Sequence, residues 1–188
     1  MKSKGPFKFL TLLLLVSGQR GQTIHILDLN DMIVSDNCFT FVIVNHLEQS
    51  RPGYHNPQRK LVRFDDTSLC AVATCKEYLK RTKSLRGNQS KLFISYVKPF
   101  KEVSRNTLTC WVRQVMAKAG LDISKFSPHG TKAASVSAAH RASVNFDNIL
   151  KITGWSSECF RDYNKPILTV STCSFACIIR FTKASQTK

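Results

Sequence analysis

Acidic residues are scarce: 12 Asp and Glu stand against 28 Lys and Arg in 188 residues, a formal net charge of +16. So few carboxylates leave a chain that attracts polyanions. Nucleic acid is the first partner expected and an anionic membrane surface the second. The basic residues are spread from Lys2 to Lys188 without forming one block, which favours a folded basic face over a disordered arm. The seven cysteines include no Cys-x-x-Cys pair and no His/Cys cluster, so a zinc-finger type of centre is not expected. Their odd number and irregular spacing read as reduced, mostly buried thiols of an intracellular protein. Internal repeats and low-complexity linkers are missing too. With 43% hydrophobic residues the chain can bury a core, and its length suits one domain better than two.

The N-terminal segment has two readings. Lys2, Lys4 and Lys8 lead into the apolar run Phe9 to Val16, and Ser17-Gly18 follows. That order resembles a secretory signal, and it also fits a buried helix stopped by Gly18. The run is far shorter than the roughly 20 residues that span a bilayer.

Further along, the pattern predicts a mainly helical α+β domain with a small antiparallel hairpin or sheet at one edge. Residues ~6–17 read as a helix, and Ile24 to Leu29 as a short one. Cys38 to Val44 reads as a strand, Ser50-Arg51-Pro52-Gly53 as a turn, and Lys60 to Phe64 as the returning strand. Ser68 can cap a helix reaching ~Thr82, with Leu69, Val72, Ala73, Tyr78 and Leu79 on one stripe. Lys91 to Tyr96 reads as a strand. Ser104 caps a helix to ~Ala119 that Gly120 stops, its apolar face Leu108, Trp111, Val112, Val115 and Met116. A small-residue helix spans ~Thr131 to Ala142 and another Phe146 to Ile152. A last helix runs from Ser156 to ~Tyr163 and ends before Pro166. The stretch Ile167 to Lys188 is rich in Ser, Thr and Cys and reads as a divergent tail.

Six segments carry a resemblance. They are Val16 to Thr23, Ser50 to Gly53, Leu92 to Pro99, Pro128 to Ser135, Gly154 to Ser157, and Tyr163 to Pro166. Each is weak alone, but the ordered set, covering ~residues 7–167, resembles the catalytic domain of the tyrosine recombinase (phage integrase) superfamily. It is most similar to the recombinases of DIRS-like retrotransposons in animal genomes. The resemblance implies a domain over residues 1–167, beginning inside the catalytic domain without the helical core-binding domain, and a foreign tail over 168–188. It also implies double-stranded DNA as partner, a homo-oligomer on DNA, and no membrane or small-molecule substrate. No metal or cofactor is implied, and the location is nuclear. Signal cleavage near Gly18 would cut just before the first catalytic position, so the N-terminal run is taken as a domain helix.

Such enzymes transfer a DNA phosphodiester to a tyrosine and then to a 5′ hydroxyl. Arginine forks neutralise the non-bridging oxygens, histidine and lysine manage protons, and the tyrosine attacks. By resemblance Arg20 takes the first arginine's place, His129 the histidine's, Trp155 the His/Trp position and Tyr163 the nucleophile's. Lys132 stands where the second arginine belongs, keeping charge but losing the planar fork. Glu48 aligns with the family's hairpin lysine, for which Lys60 or Arg59 are the nearest substitutes. Tyr163 stands eight positions after Trp155. A helix turns about 100° per residue, so two fewer than that branch's roughly ten swing the hydroxyl by about 200°. The sequence therefore predicts a degenerate recombinase. Its competitors are an inactive, element-derived DNA-binding remnant and, further off, a secreted basic protein.

Overall fold

The apolar run near the N-terminus forms helix α1, Lys4–Ser17, in the computed structural model, which describes residues 4–42 and 59–153. Phe9, Leu10 and Leu13 are at most 1% exposed, and Phe7, Leu12, Leu14 and Leu15 are buried beside them. A helix apolar on nearly every side belongs in the middle of a domain, and α1 packs against three later helices. Its buried hydroxyls bond back to their own helix: Thr11 Oγ1 donates to Phe7 O (2.8 Å) and Ser17 Oγ to Leu13 O (2.6 Å). Gly18 ends α1 at φ +59°, its N–H donating to Leu14 O, as expected of a glycine stop.

Helix α2 is Gly21–His25, earlier than the Ile24–Leu29 helix expected from the sequence. The backbone after Ile26 pairs sideways instead. Leu29 N–H donates to Ser90 O, and Leu92 N–H to Leu27 O. Strands β1 (Met32–Val34), β2 (Cys38–Phe41) and β3 (Arg59–Val62) then form an antiparallel sheet in that order. The hairpin register pairs Phe39 with Leu61 and Thr40 with Lys60. Phe39, Phe41 and Leu61 turn inward to the core, and Lys60 outward. Strand β1, at the far edge, had no clear signal in the sequence.

Helix α3, Ala71–Thr82, is capped by Cys70, whose Sγ accepts from Ala73 N–H at 3.3 Å. The expected cap, Ser68, is held by a preceding turn, its N–H and Oγ both donating to Asp66 Oδ1. The buried stripe is Val72, Cys75, Tyr78 and Thr82; Leu69, Ala73 and Leu79 are only partly buried. Cys38, Cys70, Cys75 and Cys110 are free thiols, and burial pushes the Cys75 pKa up to about 12.

Lys91 to Tyr96 is not a strand. It holds two isolated bridges, Asp28 to Lys91 and Ile94 to Glu102. Side chains take the bonds that a partner strand would have made. The buried Arg86 guanidinium donates to Lys91 O (2.7 Å), Leu92 O (2.8 Å) and Thr82 Oγ1 (3.0 Å). Tyr78 Oη accepts from Ile94 N–H at 3.1 Å. Tyr78→Phe is expected to leave that buried N–H unpaired and destabilise the protein by about 1–3 kcal/mol, read from urea unfolding.

Three helices complete the domain: α4 (Arg105–Lys118), α5 (Gly130–Arg141) and α6 (Phe146–Thr153). Helix α4 follows its sequence reading closely. Ser104 Oγ accepts from Thr107 N–H, Gly120 lies just past the end at φ +79°, and all five expected apolar residues are buried. Trp111 closes a ring cluster with Phe7 and Tyr96, with centroids 5.3–5.6 Å apart. The Ala-Ser content of α5 allows a close crossing over α1. Ala133 and Ala134 are buried, and Ser135 Oγ donates to Leu15 O at 2.5 Å.

Candidate active site

Three of the five expected site residues lie within the described part, and the fold brings them together. Arg20 is the second residue after Gly18 and the N-cap of α2, with extended backbone (φ −80°, ψ 153°) at the helix start. The left-handed turn at Gly18 reverses the chain so that Arg20 follows directly on the C-terminal end of α1. Its Nε is buried and has no hydrogen-bond partner. A buried donor left unpaired costs about 1–3 kcal/mol, so this atom is held in place by its surroundings at a free-energy cost.

His129 is solvent-exposed at the N-terminal end of α5, in a turn where Gly130 N–H donates to Ser127 O and Thr131 Oγ1 to Pro128 O. Its pKa is held below the usual 6.5, first by partial burial and then by the positive charges of Arg20, Lys132 and Arg105. Groups from the starts of α2, α4 and α5 thus act on one imidazole.

Lys132 lies in the first turn of α5, only 5% exposed. Its Nζ donates to Thr153 O, the last carbonyl of α6, at 2.9 Å. A cation at a helix C-terminus satisfies an otherwise open carbonyl and the helix dipole. The charge is therefore present at the site, anchored to α6.

Arg105 is the member that sequence reasoning missed. It is the first residue of α4, exposed, and carries no motif. Its nearness to His129 is a product of the fold. His25, in the last turn of α2, meets Val103 O through Nε2 at 3.1 Å and ties α2 to the entry of α4. Trp155, Tyr163, the Glu48 position and the Ser50–Gly53 turn lie outside the described residues, as does the segment from 154 to 188. Lys60 is exposed on β3. Among the described residues no three His, Cys, Asp or Glu side chains gather as metal ligands. No described helix is long and apolar enough to cross a membrane.

The lowered His129 pKa has a stability consequence with a definite sign. The folded protein takes up this proton less readily than the unfolded chain, so acid favours unfolding. The loss starts as pH falls past 6.5 and is complete below the folded value. Urea midpoints measured from about pH 7.5 to about pH 5.5 should fall more steeply for the native chain than for His129→Gln.

No family model and no curated protein matches the chain. Solved structures do. The XerH site-specific recombinase bound to difH substrate, in a pre-cleavage complex, matches with a TM-score of 0.65 and 16% identity, covering 92% of this chain and 47% of that one. XerA recombinase matches with a TM-score of 0.62 and 15% identity, covering 99% and 58%. XerH with a palindromic difH substrate, post-cleavage, matches at 0.61 and 16%, covering 100% and 47%. The chain spans about half the length of these recombinases. A mainly helical domain edged by a three-stranded antiparallel sheet, superposing on these chains over nearly its whole length, has the tyrosine recombinase catalytic-domain fold.

Proposed function

We propose that this chain is a DNA-binding domain of the tyrosine recombinase superfamily that acts, with weakened chemistry, in DNA recombination or integration. The observation that carries the reading is the gathering of Arg20, Lys132 and Arg105 charge around His129, contributed by the starts of α2, α5 and α4. The fold and the net charge of +16 support it. The DNA-bound state of the XerH structures is a property of those proteins that suggests the same partner here.

In the proposed reaction Arg20 donates to the non-bridging oxygens of a DNA phosphate, Lys132 adds fixed positive charge, and the Trp155 indole N–H is a further donor. Tyr163 Oη attacks phosphorus, and the bond to the 5′ oxygen breaks. The tyrosine gives up its proton and the leaving 5′ oxygen gains one, with His129 managing the transfer at the phosphate. A second 5′ hydroxyl reverses the step and restores the free tyrosine. Lys132 weakens this chemistry in two ways: its ammonium is a point charge, and it is already bonded to Thr153 O.

That anchoring also favours the second reading, a remnant that binds DNA without cutting it. The motif residues ending in Tyr163-Asn164-Lys165-Pro166 support a proposed ancestry among DIRS-like retrotransposon recombinases. A nuclear location and assembly on DNA as a homo-oligomer go with it.

A nicked suicide duplex tests the enzyme reading. The native chain should form a slow covalent adduct that Tyr163→Phe abolishes and Lys132→Arg accelerates. No adduct from either chain, with binding intact, would leave the remnant reading. Either way, affinity for duplex DNA should fall steeply between about 50 and about 200 mM salt as counterions are released. A flat salt response would overturn DNA binding itself.

A further inference from the structure

We propose that Arg105 is a phosphate-binding residue of this same site and supplies the second guanidinium that position 132 lacks. The inference rests on the DNA-phosphate reading above and deepens it.

Three observations lead there. The first is placement. Arg105 opens α4, and the entry to α4 is braced. Ser104 caps it through Thr107 N–H at 3.2 Å, Val103 is buried, and His25 of α2 reaches Val103 O at 3.1 Å. Because the five-residue α2 also packs against α4, Arg20 at its start lies about one short helix away from the braced entry of α4. The second is electrostatic. The Arg105 charge acts on the His129 imidazole together with those of Arg20 and Lys132. Neither arginine forms an ion pair with a described residue, so an anion entering here meets guanidinium groups not already neutralised.

The third is the contrast between Arg105 and Lys132. Lys132 is 5% exposed and bonded to Thr153 O, so its ammonium stays at the end of α6. Arg105 is exposed, and its side chain can swing onto a ligand. Only a guanidinium offers two parallel N–H donors to two phosphate oxygens, which is the geometry lost with lysine at 132. In this arrangement Lys132 contributes fixed charge and Arg105 contributes the fork.

The test uses the full chain, a short fluorescent duplex and three variants: Arg20→Gln, Arg105→Gln and Arg105→Lys. Melting curves first confirm that each folds. Arg105→Gln should reduce the slope of log K against log[salt] by about 0.9, the value for one phosphate contact. Combined with Arg20→Gln its effect should be less than additive, since both arginines grip one phosphate. By NMR, the His129 pKa should rise in Arg105→Gln and stay low in Arg105→Lys. The lysine variant should keep the salt slope while losing affinity, because charge survives and the fork does not. If Arg20→Gln lowers the slope and Arg105→Gln leaves slope and His129 unchanged, Arg105 is a solvated surface residue and this inference falls alone. If neither variant changes the slope, the phosphate reading falls with it.

Discussion

Arg20→Met should lower the rate of adduct formation on a nicked duplex by about 10²–10³-fold, the usual effect of removing one transition-state donor. The same change should leave the fold at least as stable as before. Arg20 Nε is buried and unpaired, so methionine keeps an apolar stem of similar shape and removes a donor that has nothing to bond. A side chain whose loss harms the reaction and spares the fold is held for its ligand. The pair of measurements is single-turnover adduct formation and urea unfolding. A variant that loses several kcal/mol of stability would show that Arg20 holds the α1–α2 turn together, and its place in a phosphate clamp would need another defence.

Gly18→Ala should destabilise the protein by about 2–4 kcal/mol, from two separable causes. Gly18 has φ +59°, where a side chain strains the backbone. An added Cβ would also lie 2.9 Å from Thr153 Cγ2. Thr153 is the residue whose carbonyl accepts the Lys132 ammonium, and its Oγ1 is bonded to Ile149 O at 2.7 Å, so it cannot retreat freely. Thr153→Ser removes the clashing methyl and keeps the hydroxyl. The double variant Gly18→Ala/Thr153→Ser should therefore relieve the clash and retain the backbone strain, about 1–2 kcal/mol of loss. Additive single effects in that cycle would mean that the end of α6 does not press on this turn. The contact also links fold to site, because a shift of Thr153 moves the anchor of Lys132.

Some elements were legible because their causes are local. Helix α4 has its cap, its apolar stripe and its stopping glycine within one continuous stretch, and each acts on its immediate neighbours. The hairpin of Cys38–Phe41 and Arg59–Val62 was legible from the Phe, Val, Ile and Thr content of its first arm and the alternation of its second, and inward Phe39, Phe41 and Leu61 share a face with a period of two. The misreadings involve partners distant in sequence or outside the usual preferences. Lys91 to Tyr96 has strand-like composition, but Arg86 and Tyr78 take its bonds from α3 and the loop after it. Ser68 has the right chemistry for a cap, yet Asp66 claims it and the cap falls to a cysteine thiol.

For the site, the amino-acid order by itself determined which residue types were available: Arg20 after a glycine turn, His129 before an Ala-Ser helix, lysine and no fork at 132, and a large excess of positive charge. These are matters of identity and short-range spacing, which a chain carries whether folded or not. Only the tertiary structure decided that Arg20 and Lys132 act on the same imidazole, that Lys132 is anchored to the end of α6, and that Arg105 joins them. Electrostatic and hydrogen-bonding energies depend on separation in space, and helices that start more than twenty residues apart become neighbours only when α1 and its partners close the core.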